Sequence, residues 1–187
     1  MPMDWIYSGH LSSFFIMTVF ELFEIDPMLS PEKEAVRKQF LNLTRRYHPD
    51  KASQNGIDEF QAIQMTAEVN KAYTLLQDEY KLLGYILKDY KGYQSLESEK
   101  LDGEFLMEMM DLNEEIDSKL EDSNEHPSLI ELVNSRINLL NDSILHINNK
   151  IHLKDLSDSD WQILKEFYLK MKYYLRIMEK INTFAPL

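Results

Sequence analysis

The run Arg37-Lys38-Gln39-Phe40-Leu41-Asn42-Leu43-Thr44-Arg45-Arg46-Tyr47-His48-Pro49-Asp50-Lys51 sets a basic amphipathic segment against a proline stop. Val36, Phe40, Leu43 and Tyr47 recur at spacings of 4, 3 and 4, one apolar stripe of a helix. At about 100° per residue Lys38 and Arg45 lie opposite that stripe, with Arg37 and Arg46 towards its flanks. Upstream, Ser30-Pro31-Glu32-Lys33 predicts a helix start with Ser30 as N-cap and Pro31 at the first helical position. Pro49 ends the helix at His48, because the residue before proline is pushed out of the helical region. A loop through Gln54-Asn55-Gly56 follows. A second helix then carries Ala62, Met65, Val69, Ala72 or Tyr73, and Leu76 on one face, so the two form a helical hairpin with His48-Pro49-Asp50 at its tip.

Working outward, helical periods dominate and strand signals are poor. Residues 1–13 read as a loop or variable extension ending in Ser12-Ser13, and a short helix fits Thr18 to Phe23 before Asp26-Pro27 stops it. Tyr80 to Gln94 reads as a connector broken at Gly84, Asp89 and Gly92. Three longer patterns follow. The first keeps Leu101, Phe105, Met109, Leu112, Ile116 and Leu120 together. The second follows Pro127 and runs Leu129, Val133, Ile137, Leu140, Ile144, Ile147 and Ile151. The third starts near Ser157 or Ser159 and carries Leu164, Tyr168, Met171, Leu175 and Met178. The expected fold is all-α: a helical hairpin domain, then an antiparallel three-helix bundle. The expected boundaries are a variable extension over 1–17, the hairpin domain and connector over 18–94, and the bundle over 95–187.

Composition narrows the chemistry. Of 187 residues 44% are hydrophobic and 11% aromatic, with 5 Gly and 6 Pro, which supports a packed core rather than disorder. Acidic residues number 32 against 20 basic, a formal net charge of −12, which argues against a nucleic-acid partner because backbone binding is largely electrostatic. With no cysteine, disulfides, thiolate metal sites and cysteine catalysis fall away and no oxidising compartment is needed. No 18-residue apolar run exists, so no membrane partner is expected. Phe14 to Phe20 lacks the basic flank of a signal peptide, and a cytoplasmic location is the expectation. His10, His48, His126, His146 and His152 are scattered, no Glu-x-x-His pair lies on the bundle helices, and no glycine-rich phosphate loop occurs. No metal, cofactor or catalytic residue is therefore expected.

The run from Arg37 to Lys51 resembles the second helix and loop of a J-domain. Val69-Asn70-Lys71-Ala72-Tyr73-Thr74-Leu75-Leu76 resembles its third helix, and Phe20-Glu21-Leu22-Phe23 its first, in order and at matching separations. The resemblance continues beyond it. Tyr80 to Leu87 looks like the segment that follows in HscB-type co-chaperones, and Asp102 to Asp117 looks like that family's Phe-Leu-Met-Glu helix. The similarity covers about residues 18–185. It implies a co-chaperone of iron–sulfur cluster biogenesis that carries an IscU-type scaffold on its bundle. It further implies presentation of that scaffold to an HscA/DnaK-type chaperone, whose ATP hydrolysis the J-domain stimulates.

Residue by residue, the resemblance implies chaperone contacts at His48, Pro49, Asp50, Arg37, Lys38, Arg45, Arg46 and Lys51. A basic face on an acidic protein would steer towards an acidic partner and fix its register; a merely solvated helix face and an ordinary capped turn are the competing readings. Motif alignment implies scaffold contacts at Leu106, Met107, Met110, Asp111, Glu114 and Tyr173. With Phe105, Met109, Leu112, Ile116 and Leu120 inward, Leu106, Met107 and Met110 point away between Asp111 and Glu114. They form either an adaptable partner surface or a patch packed on the connector or hairpin domain. Tyr173 is expected nearly opposite the Leu164–Met171–Leu175 stripe. The chain departs from the pattern in having Met110 where Leu is usual and Ser118 where an acid is expected. A J-domain protein with another cargo and a purely structural helical adaptor are the alternatives. The first would usually bring a glycine-rich linker and a peptide-binding domain, and the second leaves the His-Pro-Asp turn without a role.

Overall fold

A computed structural model describes residues 17–184 apart from 53, 55, 94, 95, 97, 98, 123 and 149–151. The expected loop over 1–13, Asn55 of the expected loop, and Ile151 of the second bundle pattern lie outside the described residues. Every regular element described is helical. The chain packs as two compact units: one runs to Gly92 and takes in the short turn Leu153–Asp155, and the other holds the remainder.

The first unit opens with α1, Val19–Leu22. Four residues cannot hold a helix by propagation, so its ends are tied. The Thr18 hydroxyl accepts from the Glu21 N–H (3.1 Å), and the Glu21 carboxylate accepts from the Thr18 N–H (2.7 Å), a reciprocal capping box. At the other end Glu24 takes φ 52°, while the Ile25 N–H donates back to the Phe20 carbonyl (3.0 Å). Phe20 and Phe23 are thereby turned fully inward.

Helix α2 spans Lys33–Tyr47, and α4 spans Glu59–Gln77. The hairpin register is fixed at two levels. The Thr66 hydroxyl donates to the Tyr47 carbonyl (3.0 Å), and seven residues further along each helix Phe40 stacks on Tyr73 with ring centroids 4.0 Å apart. Moving back along α2 while moving forward along α4 gives an antiparallel pair. The expected stripes face each other, with Val36, Leu43, Ala62, Val69, Ala72 and Leu76 buried.

Three local expectations change. Helix α2 begins at Lys33 with Glu32 as its cap residue and no side-chain cap, because Pro31 is buried ahead of the helix instead of opening it. Between α2 and α4, Pro49–Ala52 forms one further helical turn, α3. The stretch from Tyr80 is no broken connector. Helix α5, Glu79–Tyr85, runs directly into a π-helical turn, Ile86–Tyr90. Burial of Leu82, Leu83, Ile86 and Leu87 outweighs the helix cost of Gly84, about 1 kcal/mol. Only Gly92, at φ 82°, turns the chain.

The second unit is built on α6 (Gly103–Lys119), α7 (His126–Ser143) and α9 (Asp158–Phe184). Phe105, Met109, Leu112, Ile116 and Leu120 interlock with Leu129 and Val133 of α7 and Tyr174, Ile177 and Ile181 of α9. This is the inward face expected for α6. Burial, with the Glu108 carboxylate nearby, raises the pKa of the Tyr174 hydroxyl. His126 is buried at the start of α7, its Nε2 2.8 Å from the Leu120 carbonyl; since a carbonyl only accepts, Nε2 carries the hydrogen. Helix α9 starts where Ser157 and Asp160 cap each other, the Ser157 N–H donating to the Asp160 carboxylate at 2.7 Å.

Two bundle expectations are corrected. The second pattern is not one continuous helix: it breaks at Ile144 (φ −107°, ψ 2°) before a last turn, α8, Leu145–Asn148. Asn141, Asp142 and Ser143 are poor helix formers there, and the Ser143 hydroxyl bonds back to the Leu140 carbonyl (2.6 Å). On α9 the buried stripe includes Trp161, Leu164, Phe167, Met171, Tyr174, Ile177 and Ile181, whereas Leu175 is exposed. Tyr168, Leu175 and Met178 each stand one residue off that line. So many apolar residues populate α9 that more than one stripe satisfies a helical period.

Candidate functional site

Two surfaces hold the residues singled out, one on each unit. On the first, His48 ends α2 in an extended conformation (φ −61°, ψ 128°), as its place before Pro49 requires. Pro49 then opens α3, where its missing N–H costs nothing. The turn closes on His48 itself: the Asp50 N–H donates to His48 Nδ1 (3.2 Å), and the Lys51 N–H donates to the His48 carbonyl (2.9 Å). Because Nδ1 accepts, the neutral ring carries its hydrogen on Nε2 and presents that donor away from the turn. Asp50 Oδ2 lies 3.8 Å from the same Nδ1, an ion pair only when the ring is protonated. Asp50 keeps a free carboxylate, its side chain 87% exposed.

Arg37, Lys38, Arg45 and Lys51 are exposed, and among the described residues none has a carboxylate in ion-pair range. Arg46 is placed differently, with its guanidinium 5.4 Å over the Tyr47 ring. Leu41 is 45% exposed and falls between Lys38 and Arg45 on the outer face of α2, an apolar member that charge reading alone passes over.

On the second unit Leu106, Met107 and Met110 are 36%, 67% and 64% exposed. The acids of α6 divide sharply. Glu108 pairs with Arg136 (3.1 Å), Glu115 with Lys119 (2.8 Å), and Asp117 with Lys180. Asp111 and Glu114, which border the apolar trio, have no cationic partner among the described residues. The face with exposed Met and Leu is thus also the one with uncompensated negative charge.

Tyr173 does not stand opposite the α9 core stripe. It is half-buried, its ring edge-on to Phe105 with centroids 5.8 Å apart, which sets it beside the first turn of α6. With Asn113, Arg176, Ile177 and Lys180 it lines a shallow recess of about 220 Å³ between α6 and α9. Arg176 and Asn113 were invisible to motif reading; their only sequence signal is the helical offset from Tyr173 and Met110. Among the described residues no group of three or more His, Asp or Glu side chains is placed to hold a metal ion, and no helix is long and apolar enough to cross a membrane.

Known protein families match both parts of the chain. The family described as DnaJ domain matches residues 18–85, and the family described as HSCB C-terminal oligomerisation domain matches residues 101–182. A co-chaperone protein HscB homolog of Acinetobacter baylyi is 31% identical over 166 residues, covering 89% of this chain and 90% of that protein. A namesake from Vibrio vulnificus is 26% identical over 175 residues, 89% and 95% of the two chains. In fold, the chain resembles the chaperone HscB from Vibrio cholerae (TM-score 0.66, 24% identity, 89% of this chain and 96% of that one). It also resembles human co-chaperone protein HscB (TM-score 0.74, 20% identity, 98% and 90%).

Proposed function

The chain belongs to the HscB family of J-domain co-chaperones, and from that premise we propose that it delivers an IscU-type iron–sulfur scaffold to an HscA/DnaK-type chaperone and triggers that chaperone's ATPase. The observation that carries the cargo half is the exposed Leu106–Met107–Met110 patch beside the unpaired Asp111 and Glu114. Thioether and leucyl side chains adapt to an apolar partner surface, and two bare carboxylates select a partner with basic groups at its rim. Tyr173 adds a rigid aromatic ring on α9, edge-on to Phe105 of α6, the helix that bears the patch.

The chaperone half rests on the turn. Pro49 and the two hydrogen bonds returning to His48 hold a donor, His48 Nε2–H, and an acceptor, the Asp50 carboxylate, in one fixed relation. Such pre-ordering lowers the entropy lost when a partner's polar groups engage both. Arg37, Lys38, Arg45 and Lys51 supply steering and register. This chain performs no bond-making step of its own in this reading; the hydrolysed nucleotide and its metal belong to the chaperone, and the cluster is cargo. A cytoplasmic site of action is consistent with a cysteine-free sequence that needs no oxidising compartment.

The test is steady-state ATPase of the cognate HscA/DnaK-type chaperone, with this protein and an IscU-type scaffold added singly and together. Stimulation greater than the product of the separate effects, lost in His48→Gln, supports the reading. Stimulation indifferent to scaffold assigns another cargo. No stimulation of any cognate chaperone overturns it.

A further inference from the structure

The core face of α4 is carried by Ala62, Val69, Ala72 and Leu76. Phe60 and Ile63 lie outside it, and they stand in water: Phe60 is 67% exposed and Ile63 53%. Isolated apolar residues on a surface need no explanation, but these two are i, i+3 neighbours on the first turns of one helix and make a contiguous patch. The α4 N-terminus is otherwise well formed, with the Asp58 carboxylate accepting from the Gln61 N–H (3.0 Å), so the patch is not a frayed end.

Its position relative to the His-Pro-Asp turn is fixed by the bond from the Thr66 hydroxyl to the Tyr47 carbonyl. Ile63 sits one turn nearer the start of α4 and about 60° around its axis from Thr66. Phe60 continues the same drift, and α3, which holds Pro49 and Asp50, packs against both α2 and α4. Asp50 is thus carried by a turn packed against the helix that bears Phe60 and Ile63.

We propose that Phe60 and Ile63 are the apolar anchor with which this chain holds the HscA/DnaK-type chaperone, continuous with the charged turn; the inference rests on the chaperone reading above. Two considerations select that occupant. The patch belongs to the same unit as the turn, on a helix that α3 packs against, whereas the scaffold patch lies on the other unit. And charged contacts set rate and orientation at little net gain, since each must shed water, so a surface of one turn and four bare cations lacks a source of affinity. Aromatic and branched aliphatic side chains at the edge of such a surface supply it.

A titration of chaperone ATPase with the Phe60→Ser/Ile63→Ser double variant tests this, beside the parent and His48→Gln. The expected result is a half-maximal concentration raised about tenfold with the maximum unchanged, a pattern opposite in kind to loss of the maximum in His48→Gln. A melting profile like that of the parent accompanies it, since both side chains are exposed; the single variant Phe60→Gln gives the same direction should the double variant be unstable. A parent-like half-maximal concentration in a folded variant, with an active parent, overturns the inference and leaves the chaperone reading intact. So does a variant whose only change is weaker scaffold binding or an altered sedimentation coefficient, which assigns the patch to the scaffold or to a second copy of the chain. An inactive parent overturns both.

Discussion

The Thr66 hydroxyl lies 3.0 Å from the carbonyl oxygen of Tyr47, the last residue of α2 before His48. That carbonyl is among those a helix C-terminus leaves without an internal partner, so a side chain of the facing helix completes α2. Its single hydrogen is shared with the Ala62 carbonyl at 2.8 Å. Thr66→Val should cost about 1 kcal/mol in denaturant unfolding. It should also lower chaperone stimulation, because the turn loses its tie to α4. Full stimulation together with the stability loss would show that the turn holds its shape without that bond.

His48→Gln and Asp50→Asn should each reduce maximal ATPase stimulation by more than tenfold while shifting the melting temperature by no more than about 2 °C. Both side chains face solvent, and neither fills core space. A drop in stability matching the drop in stimulation would identify them as structural.

Replacing Leu106, Met107 and Met110 together by Ala should weaken scaffold binding at least about tenfold with little change in melting. Phe105→Ala, one residue away but 6% exposed, should instead destabilise by about 3 kcal/mol. Calorimetric titration and thermal melting of the four-residue set separate the two faces of α6; equal destabilisation by both would place the trio in the core.

Asp78 closes α4 and caps α5, accepting the Lys81 N–H at 3.0 Å. Burial pushes its carboxyl up, but hydrogen bonds from the Lys81 N–H and ammonium, with that charge 2.9 Å away, carry it below its ordinary 3.8. A carboxyl lowered on folding stabilises above its unfolded value and loses that contribution as pH falls through the folded one. Asp78→Asn, which keeps the cap and removes the charge, should therefore be less stable than the parent at pH 7, by a gap that closes as the pH falls through the carboxyl's folded value. An undiminished gap at low pH would show that the charge is not its source.

The hairpin and the α6 face were legible because each core stripe, Val36 and Leu43 or Phe105, Met109, Leu112 and Ile116, runs the length of its helix at spacings of 3, 4 or 7, whereas the other apolar residues there, Leu41 or Leu106, Met107 and Met110, form only short groups. Helix α9 was not. Tyr168, Leu175 and Met178 stand one residue off the buried stripe, and only contact with α6 and α7 decides between adjacent lines, moving Tyr173 from the far side to the edge of Phe105. Gly84 misled for the opposite reason: a local penalty of about 1 kcal/mol was read without the four buried side chains that outweigh it. Phe60 and Ile63 went unread in the sequence: they fall outside the α4 stripe, and position on a wheel does not say whether such a residue is covered by another element.

Leu153 is 2% exposed within the first unit, and its N–H donates to the Pro27 carbonyl at 3.1 Å. During vectorial synthesis the segment to Gly92 therefore leaves the ribosome with Leu153 of its interior still untranslated. Its closing contact waits until residue 153 has cleared the exit tunnel. A chain cut at Gly92 should unfold at lower denaturant than the same unit within the full protein, and adding Leu153→Ala to the full chain should reproduce most of that deficit. Completion of the first unit is thus timed by translation of the second.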